Sequence, residues 1–310
     1  MQIGILEPED FSHKAISKLK KIGEVSCYQE SQSIKDFIKD KTILFVRLKY
    51  YLGFDLLGAS SDLKYVCSPT TGLNHLDIGF LKKKKICIVS LKDESVFLSN
   101  IRATPEHTFG LILSLLRNYK KSFINVKSNF NRDLYKGYEI FENSIGIIGF
   151  GRVGKILAKY VTAFDGKSFF YDNDLSIKSE HGSVKVDSIE ELISKVNIIC
   201  VCASYSKIND KFFNSKYIDM LKNKFFINTS RGELIDEKYL IKRLNEGYFK
   251  GVALDVISNE SLSNNLDSFI GITNKNLNFI LTPHISGATF SSMERTEEFI
   301  TNKLIEIIKA

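Results

Sequence analysis

One segment of the sequence, residues 143–172, restricts the possible folds more than any other. The apolar run Ile145–Ile148 leads directly into three glycines with Gly-x-Gly-x-x-Gly spacing, and apolar residues then recur at helical spacing as far as Phe164. A second apolar run follows and ends at Asp172. Strand, glycine turn, helix and second strand, closed by an acidic residue, are typical of a dinucleotide-binding βαβ unit.

Each glycine in this segment has a separate physical task in such a unit. Gly149 allows the tight turn out of the strand, Gly151 lets a pyrophosphate approach the backbone, and Gly154 lets the helix pack closely on the strand. The free N–H groups at the helix N-terminus favour that anion. Asp172 would accept hydrogen bonds from the ribose hydroxyls and repel a 2′-phosphate, which predicts NAD rather than NADP. The alternative is a glycine turn that binds nothing.

The composition excludes several classes of protein. With 310 residues the chain exceeds the usual size of one hydrophobic core, so we expect two domains. It has no run of 18 or more apolar residues and no charged-then-apolar leader, so we expect neither a membrane span nor a signal peptide. The five cysteines are odd in number and scattered through apolar segments, which favours reduced thiols buried in the core of a cytoplasmic protein over a disulfide framework.

Two local patterns suggest other kinds of site, and both have a simpler interpretation. Cys200 and Cys202 are two residues apart, but no further Cys or His cluster accompanies them, so no metal site is expected. The net charge of +7 is modest for this length, and its one basic block is Lys82–Lys85. That block lies where a helix ends, which predicts a solvated helix terminus rather than a nucleic-acid site.

Strand-like and helical runs alternate along both halves of the chain, which predicts parallel sheets with crossover helices. In the first half, Arg47 and the turn Thr71-Gly72 follow apolar strands. Ligands gather at the carboxyl ends of such strands, and successive amides in a turn can bind an anion such as a carboxylate. Taken alone, Arg47 is better explained by an ordinary surface salt bridge. The polar stretch 258–276 is predicted to be a loop.

Three strand ends in the second half carry an Arg, two carboxylates and a His. Arg231 lies within Asn228–Gly232, Asp255 and Glu260 follow the next strand, and His284 follows the last. Beside a dinucleotide site these groups suit hydride transfer, because His can exchange the hydroxyl proton and a carboxylate can fix its tautomer. An Arg can hold a substrate carboxylate with paired donors. Singly, Arg231 could cap a helix, Glu260 could be a loop charge, and His284 could be a satisfied buried imidazole.

These blocks together resemble the NAD-dependent D-isomer-specific 2-hydroxyacid dehydrogenases, the group that contains phosphoglycerate dehydrogenase and the glycerate or hydroxypyruvate reductases. The resemblance covers nearly the whole chain. It rests on six blocks of sequence: Thr71–Asp77, Asn100–His107, Tyr138–Gly154, Asn228–Gly232, Ala253–Glu260 and Thr282–Thr289.

The resemblance implies roles for individual residues. Arg231, Glu260 and His284 fall on the family's catalytic triad. The implied cofactor contacts are Gly149, Gly151, Arg152, Val153, Gly154, Asp172, Thr229 and Asp255. The implied substrate contacts are Arg47, Thr71 and Gly72.

The resemblance also implies an architecture. A Rossmann cofactor domain, residues 99–286, is inserted into a flavodoxin-like substrate domain formed by residues 1–98 and 287–310. We expect the cleft between the domains to close on a small 2-hydroxy or 2-oxo acid, and we expect a homodimer paired through the cofactor domains. No regulatory domain is expected beyond the closing helix.

Two departures from the family pattern concern pocket shape. Cys202-Ala203-Ser204 stands where His-x-Pro is common, and Ser261 stands where a Pro usually follows the catalytic Glu. A second interpretation of the whole chain is an NAD-sensing protein without turnover, since the family includes NAD-binding corepressors. A third, another Rossmann enzyme such as one acting on a sugar nucleotide, is disfavoured because no Tyr has a Lys four residues later.

Overall fold

The computed structural model describes residues 1–260, 263–275 and 277–310. The chain divides into two compact units, and each is described by itself below. Unit 1 comprises Met1–Asn100 and Ala288–Ala310, and unit 2 comprises Ile101–Gly287. The segment that forms unit 2 is therefore inserted in the sequence between the two segments of unit 1.

Unit 1 is built on a five-stranded parallel sheet with the order β2-β1-β3-β4-β5, which is the flavodoxin-like order. Its strands are β1 (Gln2–Ile5), β2 (Glu24–Cys27), β3 (Ile43–Phe45), β4 (Tyr65–Ser68) and β5 (Cys87–Ser90). Its helices are α1 (His13–Leu19), α2 (Ile34–Ile38), α3 (Phe54–Leu57), α4 (Ile78–Lys83), α5 (Ser95–Leu98) and the last helix of the chain, α13 (Phe290–Lys309).

Unit 2 is built on a seven-stranded sheet with the order β12-β11-β10-β9-β6-β7-β8, and all of its pairs are parallel. The strand order reverses between β6 and β9, as in a Rossmann fold. The strands are β6 (Ser144–Ile148), β7 (Lys167–Tyr171), β8 (Val184–Lys185), β9 (Ile198–Val201), β10 (Phe225–Asn228), β11 (Gly251–Leu254) and β12 (Phe279–Leu281).

The helices of unit 2 cover both faces of this sheet. They are α6 (Ala103–Leu116), α7 (Tyr119–Asn125), α8 (Arg152–Ala163), α9 (Ile189–Lys195), α10 (Ser215–Asp219), α11 (Glu237–Asn245) and α12 (Ser263–Thr273). Short 3-10 turns lie at Arg132–Tyr135, Lys207–Asn209 and Gly232–Leu234.

The central strands of unit 2 are uniformly apolar because two separate cores enclose them. Ile199, Val201 and Phe226 belong to one core, while Ile198 and Cys200 belong to the other. Strands buried on both faces read as continuous apolar runs rather than as alternating patterns. The predicted fold class, two doubly wound parallel-sheet units, is therefore confirmed. No helix in the described ranges is both long and apolar enough to cross a membrane.

The prediction of a loop over residues 258–276 was wrong for most of that stretch, because it contains α12. Phe269 and Ile272 are both buried in a core of unit 2 and supply the apolar face that the helix needs. The many Ser and Asn residues nearby hid this face, since they favour turns over helix interiors. The departure at Ser261 lies outside the described residues.

The cysteine pattern was only partly as expected. All five thiols are free, and Cys67 and Cys200 are buried. Cys27 and Cys87, however, are exposed, because they stand at strand ends rather than inside the sheet.

Candidate active site

The glycine-rich turn of unit 2 has a backbone that other residues would not tolerate at two positions. Gly149 has φ +91°, and a Cβ there would lie 2.6 Å from the backbone N and Cα of Ala203. A Cβ at Gly154 would lie 2.4 Å from the carbonyl oxygen of Gly149. The first glycine therefore brings β6 against the segment that follows β9, and the third brings α8 against the end of β6.

The middle glycine of this turn faces open space. A Cβ at Gly151 would meet no atom within 4 Å. Gly151 is also the N-cap of α8, so the N–H groups of Arg152, Val153 and Gly154 lie in the first helical turn, where they have no partner inside the helix. Free amides and open space at a helix N-terminus are what a pyrophosphate requires, so the residues present fit a dinucleotide.

The side chain of Arg152 points away from that role. Its Nη1 donates to the carbonyl oxygen of Ile101 at 3.0 Å, and burial lowers the pKa of the guanidinium. Any contact of Arg152 with a pyrophosphate would thus come through its backbone N–H.

Asp172 lies directly after β7, and its carboxylate is held beside the glycine turn. Its Oδ2 accepts from the N–H of Phe150 at 2.7 Å, and its Oδ1 accepts from the N–H of Asp174 at 2.9 Å. The carboxylate is partly exposed and fixed in position, as recognition of a ribose requires. The structure therefore brings Asp172 together with all three predicted glycines.

His284 and Glu260 form a direct pair. Nδ1 of His284 lies 2.7 Å from Oε2 of Glu260, and the two side chains are 18% and 36% exposed. His284 follows β12 and Glu260 follows β11, so neighbouring strand ends supply the two partners. With its Nδ1 at the carboxylate, the imidazole has only Nε2 left for proton exchange with a ligand.

The backbone at His284 is unusual, and Asp255 holds it in place. His284 has φ +53°, a conformation that non-glycine residues seldom adopt. Asp255 accepts from the N–H of Ile285 at Oδ1 and from the N–H of Ser286 at Oδ2, both at 2.9 Å. Its carbonyl oxygen accepts from the N–H of His284 at 2.8 Å.

Two further side chains complete the environment of Asp255. Thr282 donates to its Oδ1 at 2.6 Å, and Nε2 of His107, on α6, lies 3.3 Å from the same oxygen. Burial works to raise the pKa of Asp255, but the hydrogen bonds from these groups outweigh it and leave the pKa below its usual value. Both carboxylate oxygens of Asp255, a predicted cofactor contact, are therefore used to shape the turn that carries His284.

Arg231 lies in the same electrostatic environment. Its Nη1 donates to the carbonyl oxygen of Ser230 at 2.6 Å. Burial lowers the pKa of the guanidinium, while the charges of Glu260, Glu233 and Asp255 act in the opposite direction. The structure thus brings Arg231 close enough to Glu260 for their charges to interact.

Thr229 is buried and is bound to α6 instead of facing a ligand. Its Oγ1 lies 2.7 Å from Oγ1 of Thr108, which itself donates to the carbonyl oxygen of Thr104. Since that bond uses the only hydroxyl proton of Thr108, Thr229 is the donor to Thr108. The hydroxyl proton of Thr229 is therefore not free to donate to a cofactor, as the predicted contact would need.

In unit 1, Arg47 has partners that the prediction did not foresee. Its Nε and Nη2 donate to Oε1 of Glu297 at 2.9 and 2.5 Å, and its Nη1 donates to the carbonyl oxygen of Glu9. The side chain of Glu297 is fully buried, and that of Arg47 is 16% exposed. Arg47 therefore fixes α13 to the end of β3, and these partners argue against a direct substrate contact.

The Thr71-Gly72 turn is ordered by a chain of hydrogen bonds. Thr70 donates to the carbonyl oxygen of Gly72 at 2.8 Å, so the hydroxyl of Ser68 must donate to Thr70 and accept from Nε2 of His75. Thr71 is exposed and Gly72 partly so. The turn is thus rigid and accessible.

Sequence reasoning gave no role to three residues of these sites: His75, His107 and Glu297. A signal existed for Glu297, because it continues the buried stripe of α13 that contains Ile300 and Leu304. A carboxylate on an apolar stripe indicates a buried partner. Across the described residues, no group of three or more His, Cys, Asp or Glu could hold a metal ion.

Comparison with known proteins agrees with this geometry. Residues 109–286 match the family described as D-isomer specific 2-hydroxyacid dehydrogenase, NAD binding domain. The chain is 28% identical over 282 residues to a glyoxylate reductase of Thermofilum pendens, covering 88% of this chain and 80% of that protein. It is 26% identical over 317 residues to D-3-phosphoglycerate dehydrogenase of Methanocaldococcus jannaschii, covering 99% of this chain and 58% of that protein.

A solved structure is similar over the full length. D-lactate dehydrogenase from Aquifex aeolicus, complexed with NAD and lactic acid, superposes with a TM-score of 0.84 at 26% identity, covering 100% of this chain and 96% of that one. The family match spans more than half of the chain, and the glycine turn has open space at Gly151 where a dinucleotide would bind. The chain belongs to the D-isomer specific 2-hydroxyacid dehydrogenases, as an NAD-dependent enzyme of that family.

Proposed function

We propose that this enzyme interconverts a small D-2-hydroxy acid and its 2-oxo acid, with His284 as the general acid–base. The observation that carries the proposal is the 2.7 Å contact between Nδ1 of His284 and Glu260. It holds one ring nitrogen at a carboxylate and leaves Nε2 to exchange a proton with the substrate oxygen.

NAD, when bound, accepts or supplies the hydride. The glycine turn, the first N–H groups of α8 and Asp172 would hold it. In oxidation, His284 takes the hydroxyl proton at Nε2, and in reduction its imidazolium returns a proton to the carbonyl oxygen.

Glu260 and Arg231 have complementary charges in this scheme. Ionised Glu260 orients the ring of His284 and stabilises the imidazolium. Arg231 holds the substrate carboxylate with paired donors and polarises the neighbouring carbonyl, which favours attack at C2. Asp255 acts through the turn around His284, which it holds in a left-handed conformation.

The names of similar proteins support a small substrate. One is called a glyoxylate reductase, and another was solved with lactic acid. We assign cofactor binding to the predicted cofactor domain, residues 99–286. We assign substrate binding, including the predicted contacts of Thr71 and Gly72, to the predicted substrate domain, residues 1–98 and 287–310. Five free cysteines fit a reducing compartment, so we place the enzyme in the cytoplasm.

We also propose that it forms a homodimer through unit 2. Large apolar side chains are exposed together along one stretch: Phe123 is 71% exposed, Ile124 66% and Phe130 90%. Contiguous exposed apolar groups of this kind mark interaction surfaces. Sedimentation should give a mass twice the 35.2 kDa of one chain, and replacing Phe123 and Phe130 by Ser should give the mass of a single chain.

The triad is tested with reduction of a panel of 2-oxo acids by NADH. His284→Ala should lower kcat by about two to four decades. Arg231→Lys should impair both kcat and KM, because an ammonium cannot reproduce the paired donors of a guanidinium. Absence of turnover by the wild type, with tight NADH binding, would favour an NAD-sensing protein instead.

Glu260→Gln gives the sharpest test of the His–Glu pair. The variant should remain active, but as the pH is raised its reductive kcat should begin to fall at a lower pH than that of the wild type, since the imidazolium has lost its anionic partner. Superimposable pH–rate profiles would show that Glu260 is not coupled to His284, and this assignment would be wrong.

A further inference from the structure

A buried carboxylate that the proposed mechanism does not use lies beside its residues. Glu237 is the first residue of α11 and is 9% exposed. Its Oε1 accepts from the backbone N–H of Ser258 at 2.7 Å, and the hydroxyl of Ser258 donates to the same carboxylate. Ser258 lies two residues before Glu260, so Glu237 holds the segment that carries the partner of His284.

The same two segments touch through their backbones. A Cβ at Gly232 would lie 2.1 Å from the carbonyl carbon of Ile257 and from the N of Ser258. Gly232 follows Arg231 directly, and the 3-10 turn Gly232–Leu234 leads toward Glu237. Residues 231–237 therefore carry Arg231 at one end and, at the other, Glu237, whose carboxylate binds the segment that leads to Glu260.

The two charged groups that shift the pKa of Glu237, Glu233 and Glu260, are both acidic. Burial is the main cause that raises its pKa to about 7, and the charges of Glu233 and Glu260 add to it, while the bonds from Ser258 oppose it. The charged residue of α12, Asp267, is exposed. On α10, Lys216 pairs with Glu190 and Asp219 pairs with Arg243. Glu237 therefore changes charge close to neutral pH.

We propose that Glu237 is a positioning residue. In its ionised form it clamps the Ile257–Glu260 segment against residues 231–237, and it thereby keeps Glu260 at His284. The inference rests on the proposed function. An ionised carboxylate is a stronger acceptor of the Ser258 N–H than a neutral one. The clamp accordingly tightens as the pH rises past neutrality and loosens below it.

The test compares wild type, Glu237→Gln and Glu237→Ala in NADH-dependent reduction of glyoxylate from pH 5.5 to 8.5. Gln imitates the protonated carboxyl, so its kcat should match that of wild type within about twofold at pH 5.5 and be about fivefold lower at pH 8.5. Ala removes the clamp, so kcat should be about tenfold lower throughout. The KM for NADH should stay within about twofold, since the glycine turn is untouched.

Glu191→Gln is the matched control. Glu191 lies in the first turn of α9 and its carboxylate also accepts a backbone N–H, that of Asp187 at 2.9 Å. Its variant should follow the wild-type profile at every pH. A wild-type to Glu237→Gln ratio of kcat that is constant with pH would overturn the proposal, even if the Ala variant does not fold.

His284→Ala separates this inference from the function on which it rests. If His284→Ala keeps full activity, the proposed function fails. If it loses activity while both Glu237 variants behave as wild type, the function stands and only the positioning role is wrong.

Discussion

The carboxyl ends of the two parallel sheets differ in the source of the negative charge that their backbone N–H groups can bind. In unit 2, where the strand order reverses between β6 and β9, the edge consists of glycine backbone and the first turn of α8, with open space at Gly151. In unit 1, the order reverses between β1 and β3, and the carboxylate of Glu7 occupies that edge. Three successive N–H groups, those of Arg47, Leu48 and Lys49, donate to it.

The difference shows what makes such an edge a ligand site. Both edges have backbone donors that favour a negative charge. Unit 1 satisfies its donors with Glu7, and it then neutralises Arg47 with Glu297 from α13. Unit 2 occupies the N–H of Phe150 with Asp172 but leaves the first N–H groups of α8 open. The same geometry therefore stabilises the fold in one unit and is left for a cofactor in the other.

The largest expected effect comes from breaking the charge pair of unit 1. Arg47→Met leaves the fully buried carboxylate of Glu297 without its cation, which costs about 3–5 kcal/mol. Burial already raises the pKa of Glu297, and Arg47 is the main group that opposes this. The variant should therefore lose more stability at pH 8 than at pH 5, where the carboxyl can be protonated.

Hydrogen exchange of peptides from β3 and α13 measures this loss directly, and urea unfolding gives its size. The double variant Arg47→Met with Glu297→Leu should recover most of the stability, because it leaves no unpaired charge. NADH affinity should not change in either variant. Weaker NADH binding would mean that the edge of unit 1 is not purely structural.

The next effect concerns the open edge of unit 2. Gly149→Ala places a Cβ 2.6 Å from the Ala203 backbone at φ +91°, so we expect a loss of about 2–3 kcal/mol in stability and weaker NADH binding. Gly151→Ala should weaken NADH binding alone, since its Cβ meets only open space. Gly110→Ala, in the interior of α6 and also with nothing within 4 Å, is the control: NADH binding should not change, and the helix should be stabilised by about 0.5–1 kcal/mol. Fluorescence titration with NADH and thermal unfolding distinguish the three.

The comparison also explains what could be predicted from the sequence. The edge of unit 2 is encoded locally: strand, Gly149, Gly151, Gly154 and Asp172 follow one another within 30 residues of chain, as residues 143–172. Periodicity and glycine spacing are sufficient for that. The pairing of His284 with Glu260 was predictable because parallel strands bring their carboxyl ends to one edge.

The edge of unit 1 is not encoded locally. Glu297 reaches Arg47 across 250 positions of sequence, and Glu7 reaches Leu48 across 41. No spacing rule links such residues, so the sequence could not name the partners of Arg47, and its predicted substrate contact rested on the resemblance alone. The helix α12 was missed for a related reason, because its apolar face is defined by a core that only the fold assembles.

A third, smaller effect tests the role of charge at the open edge. Asp172→Asn keeps an acceptor for the Phe150 N–H but removes the negative charge. The preference of kcat/KM for NADH over NADPH should fall by about tenfold or more, as a charged hydrogen bond is worth about 1.5–3 kcal/mol. Asn173→Ala, at the exposed neighbour, should leave the preference unchanged. If Asp172→Asn also leaves it unchanged, Asp172 does not discriminate between the two cofactors.

The smallest effect comes from a carboxylate of unit 2 that is buried like Glu297 but has no cationic partner among the described residues. The pKa of Glu237 rises on folding from 4.5 to about 7, so between these values the folded state binds more protons and stability falls as the pH rises. Glu237→Gln removes this net cost of ionisation, in which the opposing bonds from Ser258 are already included. Its melting temperature should therefore exceed that of wild type by several degrees at pH 8.5 and match it at pH 5. Scanning calorimetry at the two pH values measures this. If the difference in melting temperature between the two proteins does not change with pH, Glu237 does not titrate in this range. The expected result would show that the ionised carboxylate of Glu237 makes the wild-type fold less stable above neutral pH.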